Sequence, residues 1–338
     1  MANLQKEFLQ LHNDIKLGAY EENESLRNKR DLLINELTEA LKDEKVPETD
    51  KSLTFKKFDQ GSYAMNTGIK PKDDDYDIDV GIIFDIKNDE YDSNKLKKLV
   101  FDKLDSQHNR TVEFNRPCIT VKYSDGYHVD LAIYADNQGD LHIAWGKEHS
   151  QINRCWYKSE PKKLTQWVSD VSSISEESEQ FRRCVRYLKI WKEKHFSSDG
   201  NNAPPSIGLT IQARNAFYNT CGYHKDKDLE ALINIVIEMK GAFLDKYDSD
   251  TSEFKKFISV ELPVEPYKDV YYKMSLIQRD NFFQKTDSLL EALEAVKDEE
   301  SDYQACKILE KVFGDKFPLA EDTKRSNKKP FIPTGHNA

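Results

Sequence analysis

The sequence has no long hydrophobic run and no recognisable export signal. The apolar segment 232–239 is among its longest and ends at Lys240, far short of the roughly 20 residues that span a bilayer. The first ten residues lack the continuous apolar stretch of a secretory signal peptide. These absences argue against a membrane protein and predict a cytoplasmic protein with no membrane partner.

The sequence also lacks paired cysteines. Its cysteines are scattered singly, and none belongs to a CxxC pair or a Cys/His cluster of the kind that holds structural zinc. We therefore expect them to be small core residues in a reducing compartment. They are Cys118, Cys155, Cys184, Cys221 and Cys306.

A basic excess is missing as well. The chain has 50 Lys and Arg against 60 Asp and Glu, which gives a formal net charge of -10. Because affinity for nucleic-acid phosphates comes mainly from Lys and Arg, this balance argues against binding a long duplex along one face. It does not argue against binding nucleotides that carry magnesium. With 17 Phe, 16 Tyr and 4 Trp, the chain of 338 residues has enough aromatic side chains for a sizeable core.

Hydrophobic spacing divides the chain into an α/β part and a helical part. Residues 4–43 indicate helix with a break near 17–25, and residues 55–135 indicate a compact α/β unit that ends in a hairpin. Further helices are predicted at 176–196, 206–221, 227–246, 280–298 and 302–313. The predicted domains are N-terminal helices with the α/β core over 1–160, a helical lobe over 161–317 and a flexible tail over 318–338.

Three aspartates fall on polar faces of two predicted strands. Alternation along a strand places Asp77 and Asp79 on one face, opposite Ile78, Val80 and Ile82. On the later strand, Asp130 shares a face with His128 and Tyr134, opposite an apolar face. If the strands are neighbours, three carboxylates converge, and the repulsion between them favours a hard divalent cation.

This carboxylate arrangement suits phosphoryl transfer with two bound ions, Mg²⁺ or Mn²⁺. Asp130 would hold the ion that activates a hydroxyl and accept or relay its proton. His128 is better read as a neighbour that orients carboxylates or water, because metal-dependent phosphoryl transfer needs no histidine base. Taken alone, an Asp-x-Asp pair favours a solvated strand face over a metal site.

The dipeptide Gly61-Ser62 shifts that balance towards a phosphate site. It follows a predicted strand and precedes a short helix, where glycine allows close approach to a phosphate and the first amides can bind it. The alternative is that Ser62 only caps the helix. The order of these motifs is more specific than any one of them: a Gly-Ser turn comes first, Asp77 and Asp79 follow, and Asp130 lies on a later hairpin strand.

These motifs resemble a known family. The core motifs are similar to the DNA polymerase β-type nucleotidyltransferases, and more closely to the bacterial cyclic-oligonucleotide synthases related to cGAS and DncV, the CD-NTases of anti-phage CBASS operons. The matching text spans most of the chain: GSYAMNTGI (61–69), DYDIDVGIIF (75–84), GYHVDLAIY (126–134), KSEPKKLTQWV (158–168), RYLKIWKEK (186–194), PPSIGLTIQA (204–213) and KVFGDKFPLA (311–320).

The resemblance implies an α+β fold, with a bilobal polymerase β-like nucleotidyltransferase core of mixed sheet and helices and a helical C-terminal lobe of oligoadenylate-synthetase type. It implies that Asp77, Asp79 and Asp130 are the catalytic metal ligands. It adds a nucleotide-binding set, of which Lys189 contacts the triphosphate. That set is Gly61, Ser62, Lys189 and Ser206, and adjacency to Gly61 adds Gln60 to it.

Evidence from the residues themselves is weaker for Lys189 than for the aspartates. Arg182, Arg186 and Lys189 form one stripe at helical spacing, which fits a cleft-facing surface and a solvated basic face equally well. Gln60 and Asn66 are candidates for the pocket by adjacency alone.

The function expected from the resemblance is synthesis of a cyclic di- or trinucleotide second messenger from nucleoside triphosphates, ATP among them, with release of pyrophosphate. Linear synthesis of the oligoadenylate-synthetase kind, another nucleotidyl transfer, and a non-catalytic nucleotide-binding scaffold are the alternatives. No DNA or RNA activator is expected. A separate effector protein would receive the product, and an E1/E2-like ligase is a candidate partner for the C-terminal tail.

Overall fold

A computed structural model describes residues 3–17, 21–72, 76–105, 110–152, 154–219 and 227–322. The helices are α1 (Gln5–Ile15), α2 (Glu21–Leu41), α3 (Gly61–Ala64), α4 (Ser93–Asp105), α5 (Pro161–Ser169), α6 (Ser175–His195), α7 (Ser206–Asn219), α8 (Asp228–Gly241), α9 (Leu276–Asp298) and α10 (Asp302–Phe313). The strands are β1 (Phe55–Asp59), β2 (Tyr76–Phe84), β3 (Arg110–Phe114), β4 (Ile119–Tyr123), β5 (Tyr127–Asn137), β6 (Asp140–Trp145), β7 (Cys155–Lys158), β8 (Leu244–Asp248) and β9 (Glu253–Phe257).

The central sheet is mixed. Its strand order is β1-β2-β5-β4-β3, and β6 pairs with β5 and carries β7 outwards. β2 and β5 run parallel, whereas the other neighbours are antiparallel. Parallel neighbours need a long crossover, and the segment from α4 to β4 supplies it. The predicted hairpin of β4 and β5 is confirmed.

Alternation along β2 and β5 decides where the core of the α/β part lies. The alternate residues of β2 from Ile78 to Phe84 are fully buried, as are Val129 and Leu131 of β5. α2 and α4 cover this face with leucine and valine side chains. The polar residues that alternate with this core therefore point to the opposite face of the sheet, as the sequence predicted.

A second core lies in the helical part and includes the N-terminal helix. α6 is its central element, and α7, α8 and α10 contact it. The ring of Phe8 on α1 packs edge-on against Tyr187 of α6 and Phe317, with centroids 5.2 and 5.4 Å apart. α1 therefore belongs to the helical core by its packing, although the domain prediction placed it with residues 1–160.

Several elements differ from the sequence expectation. The helix predicted over 227–246 ends at Gly241, and Leu244–Asp248 instead pairs with Glu253–Phe257 as an antiparallel hairpin. Its strand residues are largely exposed, so no apolar alternation marks them. β3, β6 and β7 were also not predicted. Cys221 and residues 323–338, most of the predicted tail, lie outside the described residues.

No helix in the described ranges combines the length and apolar character needed to cross a bilayer. The described cysteines, Cys118, Cys155, Cys184 and Cys306, are free thiols.

A buried ion pair ties three helices of the helical core together. Asp228 at the start of α8 is completely buried and accepts two hydrogen bonds from Arg183, at 2.6 and 2.7 Å. The hydroxyl of Tyr187 also donates to it at 2.9 Å, and its own amide donates to Gln5 of α1. Burial alone would raise the pKa of Asp228, but the hydrogen bonds and charge of Arg183, with the hydrogen bonds from Gln180 and Tyr187, hold it below its usual value. A charge without solvent is tolerable only with such partners.

We expect Asp228→Asn to lower the free energy of unfolding by about 3–5 kcal/mol, because it leaves the Arg183 guanidinium buried without a counter-charge. Urea denaturation followed by circular dichroism measures the loss. Asp14→Asn, at an exposed position of α1, is the control and should change the free energy by less than about 0.5 kcal/mol. Equal stability of the two variants would contradict this account.

Candidate active site

The parallel pairing of β2 with β5 brings the three predicted carboxylates together. Asp79 lies directly opposite Asp130 in the register, and Asp77 lies opposite His128. Carboxylate oxygens of Asp77, Asp79 and Asp130 all lie within 4.8 Å of one another. The sequence predicted that these aspartates lie on the polar face of the sheet, and the strand register brings their carboxylates close together.

A chain of side chains behind Asp130 fixes its position. The hydroxyl of Thr120, directly opposite on β4, donates to an Asp130 oxygen and accepts from the Asn115 amide at 2.9 Å. The carbonyl of Asn115 in turn accepts from the buried ammonium of Lys97, which also binds the carbonyl of Arg116. Burial lowers the pKa of Lys97 to about 8. These hydrogen bonds hold the Asp130 carboxylate in position from the side of β4.

The carboxylate cluster has the electrostatics of a cation site. Burial, followed by the charge of Asp130, raises the pKa of Asp79 to about 6. A carboxyl group that resists ionisation beside another carboxylate gains most from a divalent cation, which offsets both costs. Hard oxygen donors without nitrogen or sulfur ligands suit Mg²⁺ or Mn²⁺. The residues present therefore fit the predicted metal.

Gly61 is packed directly against the cluster. Its φ is +65°, and a Cβ atom built on it would lie 1.8 Å from Oδ2 of Asp79. The amide of the preceding residue, Gln60, donates to the Asp79 carbonyl at 3.0 Å. Only glycine fits both the backbone angle and the contact. The first amides of α3 have no carbonyl within the helix to bind, so they are available beside the carboxylates.

A cavity of about 470 Å³ opens at this point between the sheet and the helical core. Seven of the eight predicted site residues line it: Gln60, Gly61, Ser62, Asp77, Asp79, Lys189 and Ser206. The eighth, Asp130, belongs to the carboxylate cluster but not to the cavity wall. The structure therefore brings the whole predicted set to one place. Asn66, considered by adjacency, does not line this cavity.

Lys189 reaches the cavity as a buried cation of α6. Its ammonium donates to the carbonyl of Thr67 at 2.7 Å and to the Thr67 hydroxyl at 3.3 Å. Burial, with the charges of Lys192 and Arg186, lowers its pKa to about 7. Arg186 donates to the carbonyls of Gly68 and Asn66. Since Arg186 and Lys189 are each 5% exposed, the solvated basic face considered from the sequence is wrong for both.

Sequence reasoning missed Lys192 and the contacts of Tyr134. The ammonium of Lys192 donates to the hydroxyl of Ser206 at 2.7 Å, and the hydroxyl of Tyr134 donates to Gln60 at 3.0 Å. Lys192 is one turn beyond Lys189, and that spacing was the available signal. Tyr134 was placed on the polar strand face, but nothing in the sequence paired it with Gln60.

A known family model matches the part of the chain that carries the carboxylate cluster. The family model described as "Cyclic GMP-AMP synthase DncV-like, nucleotidyltransferase domain" matches residues 53–134, which contain the Gly-Ser turn and all three aspartates. Residues 53–134 of the chain are thus similar to the nucleotidyltransferase domain of the DncV-like enzymes. This confirms the family resemblance noted in the sequence.

Two curated relatives are similar over part of their length. A cyclic GMP-AMP synthase of Escherichia albertii is 30% identical over 186 residues, which cover 52% of this chain and 40% of that protein. A c-di-GMP synthase of Roseivirga ehrenbergii is 24% identical over 193 residues, which cover 49% of this chain and 50% of that protein. The match thus spans half or less of these curated relatives.

The fold resembles a solved structure over almost its whole length. Apo DncV of Vibrio cholerae superposes with a TM-score of 0.74 at 19% identity and covers 94% of this chain and 96% of that one. Another crystal structure of that protein holds the linear intermediate 5′ pppA(3′,5′)pG. The likeness confirms the predicted α+β fold with a polymerase β-like core and a helical C-terminal lobe.

We expect Gly61→Ala to abolish tight Mn²⁺ binding at the carboxylate cluster, because the added methyl group displaces Asp79. Electron paramagnetic resonance of a Mn²⁺ titration measures the free ion. The matched control is Gly200→Ala. Gly200 has a similar φ of +61°, but nothing lies within 4 Å of its built Cβ. Both variants carry the backbone strain of about 1 kcal/mol, so only Gly61→Ala should lose the site. Equal Mn²⁺ affinity in both would refute the predicted role of Gly61.

Proposed function

We propose that the protein is a nucleotidyltransferase that joins nucleoside triphosphates into a cyclic di- or trinucleotide and releases pyrophosphate. The observation that carries the proposal is the juxtaposition of three carboxylates with a Gly-Ser turn and a buried lysine at one cavity between two lobes. Carboxylates for metal ions and donors for a triphosphate are the two parts that metal-dependent nucleotidyl transfer needs.

In the proposed mechanism, Asp77, Asp79 and Asp130 would hold two Mg²⁺ or Mn²⁺ ions. When bound, the ions lower the pKa of the attacking hydroxyl and neutralise charge on the triphosphate and its leaving group. The ribose hydroxyl attacks the α-phosphorus, and the bond from that phosphorus to the bridging oxygen breaks. Pyrophosphate carries away the electron pair. Asp130, held by Thr120, accepts or relays the hydroxyl proton.

The other site residues would bind the triphosphate. Ser62 and the first amides of α3 contact the β and γ phosphates, and Gly61 lets the backbone come close. Lys189 supplies positive charge from α6, and its pKa near 7 lets the phosphate charge stabilise its protonated form. Gln60 and Ser206 contribute polar groups to the same wall, with Ser206 oriented by Lys192.

Production of a ring is favoured over linear products by the relatives. Those with partial sequence similarity are named as synthases of cyclic GMP-AMP and c-di-GMP. The proposal for this chain includes ATP among its substrates and needs no DNA or RNA. We further propose a role in anti-phage defence in which an effector protein receives the product.

Incubation with all four radiolabelled triphosphates and Mg²⁺ or Mn²⁺ tests the activity. We expect pyrophosphate release and a product that resists phosphatase, because a ring has no terminal phosphate. Asp77→Ala/Asp79→Ala should lower the rate by at least about a thousandfold, since loss of the ions removes several kcal/mol of transition-state stabilisation. Mass analysis identifies ring size and bases.

The assay has matched controls and decisive alternatives. Asp14→Asn, exposed on α1, should keep the wild-type rate, and added duplex DNA or RNA should not change it. A phosphatase-sensitive product would indicate linear chemistry instead. Equal pyrophosphate release by the double variant would show that the site is wrong. An inactive wild type that still binds triphosphate, with duplex DNA or RNA and both metals supplied, would favour a scaffold.

A second, separate proposal concerns the C-terminal residues. We propose that an E1/E2-like ligase acts on the C-terminal tail and joins it to a target. Deletion of residues 331–338 should abolish a higher-mass conjugate in cells that express the native neighbouring genes. Mass spectrometry of the purified protein detects the conjugate. An unchanged conjugate in the deletion variant, or none in wild type, would remove the proposal.

A further inference from the structure

A second polar cavity lies on the far side of the 66–68 segment from the active site. Its volume is about 380 Å³, and its walls are α1 with the residue after it and one face of α6. Asn66 lines this cavity, whereas Thr67 and Gly68 line the active-site cavity. We call it the α1–α6 cavity. Nothing in the proposed reaction uses it.

The charges that line this cavity are mostly of one sign. Lys16, Arg182, Arg183 and Arg186 all line it, and the carboxylate of Glu179 is the acidic group among its lining residues. Asp228 neutralises Arg183 from the core side. The chain as a whole carries a net charge of -10, so four cations around one small cavity go against the overall balance.

Several donors of these cations remain unused. Nε and Nη2 of Arg183 bind Asp228, and Nε and Nη2 of Arg186 bind the carbonyls of Gly68 and Asn66. Among the described residues, Nη1 of neither arginine has a hydrogen-bond partner, and Arg182 and the Lys16 ammonium have neither a hydrogen bond nor an ion pair. Side chains held in place with donors left over are the usual composition of an oxyanion site.

The lowered pKa of His12 on α1 is consistent with the positive charge around this cavity. Burial, followed by the charges of Arg186, Arg183 and Lys16, lowers its pKa to about 4. Its ring is therefore neutral at pH 7 and adds no charge of its own. A bound anion would reduce the repulsion among the cations, which burial otherwise makes costly.

We propose that the α1–α6 cavity binds a phosphate-bearing small molecule. The phosphate oxygens accept from Arg182, Lys16 and the free Nη1 atoms of Arg183 and Arg186. Arg182 is the arginine of this group that can bind bidentately, and bidentate arginine contacts favour phosphate over a monovalent anion. The walls are largely polar and charged, with Leu9 as the apolar exception, so recognition is of the charged group.

The cavity is coupled to the active site by two residues of one helix. Arg186 binds the carbonyls on either side of Thr67, and Lys189, one turn later, binds Thr67 itself. An anion that binds Arg186 in the α1–α6 cavity therefore orders residues 66–68, and these residues hold the ammonium of Lys189. The effect is a restriction of local motion in residues 66–68.

Isothermal titration calorimetry with inorganic phosphate, and separately with AMP, tests the binding. Both titrations use full-length protein in EDTA. Arg182→Gln is the informative variant, because Arg182 has no structural partner to lose. We expect saturable binding to wild type and binding at least about tenfold weaker to Arg182→Gln, the loss of one charge-assisted hydrogen bond. Arg27→Gln, exposed on α2, is the matched control and should bind as wild type does.

The two probes separate the sources of the phosphate. Equal affinity for both indicates that the phosphate alone is read, and tighter binding of AMP indicates a nucleotide ligand. Either result supports the proposed site, provided that the binding is weaker in Arg182→Gln. No saturable binding of either probe to wild type, or equal binding to Arg182→Gln, would overturn the proposal. Since no triphosphate or divalent metal is present, the result is independent of the proposed catalytic function.

Hydrogen exchange measures the coupling. Amides of residues 66–68 should exchange more slowly when the better probe saturates wild type, and at the same rate with and without probe in Arg182→Gln. Unchanged exchange in saturated wild type would show that the cavity binds its ligand without influence on the active site.

Discussion

The site depends on one strand pairing, the parallel contact of β2 with β5. Asp79 and Asp130 are opposite each other only because these strands run in the same direction and in this register. A slip by one residue would turn Asp130 into the core and Val129 or Leu131 towards the cluster. Fully buried side chains on the other face of both strands make that slip costly. The apolar core thus enforces the proximity of charges that repel each other.

The second lobe is attached to this arrangement through backbone carbonyls. Arg186 and Lys189 are buried cations that bind three consecutive carbonyls, those of Asn66, Thr67 and Gly68. The segment is not a regular helix or strand, so its carbonyls are available to partners from outside. α6 therefore supplies charge to the cavity and fixes the chain that follows the Gly-Ser turn. These two roles cannot be varied independently.

Local periodicity was enough to predict most of the fold, and residue chemistry most of the site. Alternation predicted β2 and β5, and the order of Gly61-Ser62 and the aspartates predicted the cluster. The hairpin of β8 and β9 was missed because its exposed strands show no apolar alternation. The contact of Lys192 with Ser206 and that of Tyr134 with Gln60 were missed for another reason. Each joins residues from separate elements, and only the packed structure defines such pairs.

The position of α1 has a consequence for synthesis of the chain. Phe8 is completely buried, and its partners Tyr187, Phe313 and Phe317 come from the second half of the sequence. During synthesis, α1 leaves the ribosome well before its partners Phe313 and Phe317 exist. Its apolar face therefore cannot pack fully until those residues have been made. During that interval the α/β part can fold around its own sheet, but the helical core stays incomplete. The packing around Phe8 is therefore complete only after Phe313 and Phe317 have been synthesised.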